Sequence, residues 1–171
     1  MIEKEHTELF NSWIKLNYES PRYGEFVTLP VISGSMMTVL VPGREIKIKC
    51  VSWRECQIGD IIVFKGATVL TAHRLLARIR MFGRCFLFQK GDSNRFGKWI
   101  RSEQVAGIVV ETEDKDANIF DLCSFDEKQK ARRCARKQLI SDLWSRLLIV
   151  PRGVKRRLYS NSSLNSDLKI R

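Results

Sequence analysis

The spacing of apolar and polar positions changes twice along the chain. From Glu3 to Leu16, the apolar residues Leu9, Phe10, Trp13 and Ile14 recur three and four residues apart, which predicts a short amphipathic helix. The stretch "NYESPRYG" breaks it with proline and glycine. Between Glu25 and Glu113 short β-type runs replace it: "FVTLPVIS", "EIKIKCVSW", "DIIVFK", "TVLTAHRLLARIR", "RCFLFQK" and "VAGIVVETE". They are rich in Val, Ile, Phe and Thr, and "EIKIKC" alternates as a half-buried strand does. The turn sequences "VPG", "IGD", "KGA", "FGR" and "KGDSN" separate them. Strands this closely spaced predict antiparallel pairing, as a sheet or a partly closed barrel. After the acidic link "ETEDKDAN", helical spacing returns at Asp126, with Leu139, Leu143, Leu147 and Val150 on one face. Pro151 and Gly153 are expected to end that helix, and the polar "YSNSSLNSDLKIR" to fray. The expected fold is mainly β: residues 1–24 form an N-terminal helix and linker, 25–125 an antiparallel β body, and 126–171 a basic helix and tail.

Composition changes this picture mainly through charge. The 171 residues carry a net +11, an excess that is unevenly placed. Asp126 to Arg171 holds 13 Lys/Arg against 4 Asp/Glu, whereas the rest of the chain is nearly balanced. A basic helical tail suits an anionic partner. It either packs on the β body through Leu139, Leu143 and Leu147, or attaches to an anionic membrane surface, where Lys155, Arg156 and Arg157 would touch lipid. Nucleic acid is disfavoured, because Trp144 and Tyr159 are the tail's only aromatics and no binding motif accompanies them. Five cysteines, none in Cys-x-x-Cys spacing, and a charged N-terminus without a secretory signal predict reduced thiols in a cytoplasmic protein. No apolar run reaches the length of a transmembrane helix, so no membrane anchor is expected.

The stretch "VISGSMMTVLVPG" raises the question of chemistry. Ser-Gly-Ser alone is ordinarily a turn, and a serine needs a base before it becomes a nucleophile. The chain has two histidines: His6 in a charged helix start, and His73 within the apolar run "LTAHRLL". Alone, His73 reads as a structural histidine. The order of the blocks "SGSMM", "QIGDIIVF", "AHR", "FQKGDSN" and "VAGIVV" adds weight. Over about Leu29 to Val110 this order resembles signal peptidase I and its relatives, in the branch that uses a histidine base.

The resemblance implies a serine endopeptidase with Ser35 as nucleophile and His73 as general base. It implies the Ser35 backbone N–H and the Ser33 hydroxyl as oxyanion donors. Gly34 would allow close approach of the substrate, and Met36 would pack beneath the nucleophile or serve as ordinary core. Asp92, in "KGDSN", either orients His73 or only holds its loop together. The family's later aspartate is replaced here by Gly97 and Lys98, and its proline after Ser-Met-x by Thr38. The expected partner is a peptide or precursor protein, such as a leader awaiting removal, with no cofactor and no metal. Two other readings share the fold: a member that binds peptides without cutting them, and a self-cleaving repressor relative. The latter needs a DNA-binding domain for which the first 24 residues are too short.

Overall fold

The computed structural model describes residues 23–66 and 70–162, with 148–162 as backbone. The expected helix at Glu3–Leu16, with His6, and the tail beyond Ser162 lie outside the described residues. The fold is mainly β. The strands are β1 (Phe26–Pro30), β2 (Glu45–Lys49), β3 (Ile61–Lys65), β4 (Leu70–Met81), β5 (Arg84–Lys90), β6 (Lys98–Arg101), β7 (Val105–Glu113) and β8 (Ile119–Asp121). A 3-10 turn at Ser102–Gln104 precedes β7, and one helix, α1 (Phe125–Ser162), follows β8. All pairings are antiparallel, in the order β1-β2-β7-β3-β4-β5-β6, and β8 pairs with the far end of β7. The sheet is open, with β1 and β6 at its two ends.

The central strand shows why the sheet is stable. β3 reads "IIVFK" and buries its first four residues. Successive strand residues point to opposite faces, so a continuous apolar run needs cover on both. Ile61 and Val63 join Met36, Leu40, Ile46, Ile48 and Val109 in one cluster. Ile62 and Phe64 join Val51, Leu75, Leu87 and Ile100 in another. β7 is long enough to pair with β2 on one side and with β3 and then β8 on the other. A bulge at Lys47/Ile48 brings the β2 backbone so close that a side chain at position 107 would strike the Lys49 carbonyl, which is why Gly107 stands there.

The helix differs from expectation in two ways. It docks through small and polar residues rather than the leucine face. Ala135 is fully buried against Leu76 and Phe88, with Leu139 alongside, and Asp142 is 1% exposed. Leu143 and Leu147 are 53% and 64% exposed. Larger side chains would hold the helix off the sheet; here its backbone at Ala131 lies directly over Gly59. The second difference is its length. Pro151 and Gly153 do not end it, and the helix continues to Ser162. Proline deletes one donor, and the helical bonds on either side carry the backbone across. No helix of the described residues is long and apolar enough to cross a membrane.

Candidate active site

The site is assembled from three segments. The first is the turn that follows β1. Val31 is buried and pairs with the 43–44 turn through Val31 N–H to Arg44 O at 2.8 Å and Gly43 N–H to Val31 O at 2.8 Å. The chain then makes a single tight turn, closed by Leu40 N–H to Met36 O at 2.7 Å. Met36 and Leu40 are each 1% exposed, so the core anchors both ends of this turn. Ser35 stands just before it, partly exposed, and among the described residues its N–H donates to no backbone carbonyl.

The second segment is the hairpin of β4 and β5. His73 lies on β4 opposite Ile62 of β3. Its Nε2 is 3.0 Å from Ser35 Oγ, and its Nδ1 is 2.5 Å from Oε1 of Gln89 on β5. A carbonyl oxygen can only accept, so Nδ1 carries the proton. The neutral ring therefore presents the Nε2 lone pair to the serine hydroxyl, as a general base must. The Phe64 ring, centred 5.9 Å from the imidazole, covers part of it. Burial lowers the His73 pKa below its ordinary 6.5, although the Gln89 hydrogen bond and the Asp92 charge pull the other way. His73 is thus neutral at pH 7.

The third segment is the loop after β5. Ser93 N–H donates to the Ser35 carbonyl at 3.0 Å, and Asp92 N–H points to the Met36 sulfur at 3.2 Å. Gly91 lies against both Ser35 and His73. A Cβ there would sit 2.9 Å from His73 Nε2 and 2.8 Å from the Ser35 carbonyl oxygen.

Asp92 is not the partner of His73. Its carboxylate takes two bonds from Arg74, at 3.0 and 2.7 Å. It also takes one from Thr38 Oγ1 at 2.9 Å and one from Gln138 Nε2 at 2.7 Å. Burial would raise its pKa, but the Arg74 bonds and charge outweigh this and hold the carboxyl below its usual range. Of the two roles open to Asp92, holding the loop is the one its contacts fill. The same bond gives Thr38 a purpose: its hydroxyl ties the turn to the loop, which a proline could not do. Gly97, where the resembled family has an acid, is held through its N–H to Asp142 Oδ1 at 2.8 Å and through its carbonyl to Arg146 at 2.8 Å.

The other expected residues divide. Ser33 is exposed, and its hydroxyl makes no hydrogen bond among the described residues. Gly34 is partly exposed beside Ser35. Met36 belongs to the core, because the turn needs an apolar anchor there. Gln89 and Gly91 carried no chemical signal in the sequence. A glutamine inside the apolar run "CFLFQK" was the one clue in the sequence to the first. A cavity of about 270 Å³ between α1 and the sheet touches Thr38, Arg74 and Asp92 but neither Ser35 nor His73. Among the described residues no group of His, Cys, Asp and Glu could hold a metal ion. None of the five cysteines is in a disulfide. No family model matches the chain, and no curated protein shows significant similarity to it.

Proposed function

We propose that the protein is a serine endopeptidase, similar to signal peptidases of the histidine branch, acting on a peptide or precursor protein. The observation that carries this reading is the Ser35–His73–Gln89 line, with its 3.0 and 2.5 Å contacts and the tautomer they imply. His73 Nε2 takes the hydroxyl proton as Ser35 Oγ attacks the scissile carbonyl. The oxyanion gathers at the unengaged Ser35 N–H, with the Ser33 hydroxyl as second donor. The imidazolium then protonates the leaving amine, and an acyl-enzyme on Ser35 remains. Water, deprotonated by His73, then attacks the acyl carbon; the bond to Ser35 Oγ breaks, the new carboxylate leaves, and the imidazolium returns the proton to Ser35 Oγ. Gln89 keeps Nδ1 protonated throughout.

The substrate expectation, small residues at the first and third positions before the cut, follows from the resemblance. It is tested with a library of extended peptides varied at those positions. Wild-type protein should cleave a subset, and Ser35→Ala should cleave none.

A second reading has its own support. Gln89 is neutral, so the imidazolium gains no ionised partner, and an amide in place of the acid in a Ser-His-Asp triad can cost ~10⁴ in rate. That cost arises largely from the wrong tautomer, which the Gln89 oxygen avoids here. If the wild-type protein binds library peptides and leaves them all intact, the peptide-binding reading replaces the peptidase.

A further inference from the structure

Helix α1 has two different sides. On the inward side Ala135, Leu139, Gln138 and Asp142 meet the body. Opposite them, Ile140, Leu143, Trp144 and Leu147 are 55%, 53%, 62% and 64% exposed. Their spacing of three, four and seven residues makes one continuous stripe along the helix. Isolated exposed apolar residues are ordinary, but four adjoining ones, including a tryptophan, are not.

Charge narrows what could cover the stripe. Between Lys128 and Leu147 the helix carries seven Lys/Arg and one acid, Asp142. That acid is buried and bonded to Gly97 and Arg146, so it faces inward. Arg133, Arg136 and Lys137 lie one and two turns before the stripe on the same outward side, exposed and without ion pairs among the described residues. The sequence after Leu147 repeats the pattern, with "LIV" followed by "PRGVKRR". The outer face therefore offers apolar side chains set between cations, with no exposed acid among them. An anionic bilayer complements both at once: acyl chains take the leucines, the interface takes the indole, and phosphates take the guanidinium groups, whose long stems let them reach outward.

We infer that the outer face of α1 docks on an anionic lipid bilayer, with the Ile140–Leu147 stripe in the interface and Arg133, Arg136 and Lys137 on the headgroups. This does not depend on the proposed peptidase chemistry. It does give that chemistry a location, because the inner face of the same helix holds Asp92 and Gly97.

Vesicle flotation with the full chain tests the inference. Wild-type protein should float with phosphatidylcholine vesicles containing about a quarter phosphatidylglycerol and stay behind with pure phosphatidylcholine. Leu143→Gln/Leu147→Gln, with both sites already exposed, should keep the thermal midpoint and lose binding about tenfold or more. Neutralising Arg133, Arg136 and Lys137 to Gln should cost about fivefold per cation. The inference is overturned if the wild type ignores anionic vesicles, or if the leucine variant floats like the wild type. It is also overturned if lipid-free protein is a dimer that the leucine variant converts to monomer, since a second copy would then own the face.

Discussion

His73 and Arg74 are neighbours on β4, point to opposite faces, and have opposite kinds of partner. His73 has a neutral amide, Gln89, at one nitrogen and a hydroxyl, Ser35, at the other. Arg74 has a carboxylate, Asp92, at 2.7 Å, with both side chains 5% exposed. Asp92 is thus spent on structure, and the hydrogen-bond partners of His73 among the described residues are both neutral. The physical reason is the permanent charge of arginine. A buried guanidinium must be paired, whereas a buried histidine can stay neutral. Asp92 serves Arg74 first, and through Thr38 and Gln138 it joins the turn that carries Ser35 and helix α1 to the same point.

The largest expected effect lies on the Arg74 side. Asp92→Ala strands a buried guanidinium and should cost about 3–5 kcal/mol of unfolding free energy, read by urea denaturation. A near-zero change would mean that Asp92 belongs to the His73 side after all. Gly91→Ala comes next and acts on the His73 side. The added methyl meets the imidazole and the Ser35 carbonyl, and the displacement should lower kcat/KM on a cleaved library peptide ~10²-fold.

Gln89→Glu sharpens the contrast by giving His73 the acid it lacks. In the wild type, kcat/KM should rise with pH as His73 loses its proton. Because burial holds that pKa below 6.5, the plateau is already reached at pH 7 and activity falls only in more acid solution. The same shift makes stability fall as pH drops below 6.5, because the unfolded chain takes up the proton more readily. In the Gln89→Glu variant the acid limb should move up by about 1–3 pH units. An unmoved limb would show that position 89 does not face the base. The smallest effect is expected from Thr38→Val, which removes one exposed hydrogen bond to Asp92 and should cost at most about 1 kcal/mol.

Much of the fold was legible in the sequence because its strands are written in β-branched and aromatic residues bounded by glycine turns. The six expected runs correspond to β1 to β5 and β7. β6 and β8 were not foreseen. "KWIR" and "IFD" are too short to show alternation, and pairing with β5 and β7 is what makes them strands. The helix misled for a different reason. Periodic leucines mark an apolar face but do not say whether it is covered, and here Ala135 with the polar pair Gln138 and Asp142 won the contact with the body. At the candidate site His73 was legible because histidine is scarce in the chain, whereas Ser35, one of many serines, stood out only through the order of the blocks around it. Gln89 was not, since glutamine gains its role only from the cross-strand position that aims its oxygen at Nδ1.

Activation of Ser35 by His73 is the step on which the proposed chemistry stands. The most direct measurement is intact-mass spectrometry after treatment with a fluorophosphonate or peptide-aldehyde probe, with peptide mapping of the adduct. One adduct on Ser35 in the wild type, lost in His73→Ala and absent in Ser35→Ala, is the predicted result. A folded wild-type protein that never acquires the adduct, or acquires it equally without His73, would contradict that activation.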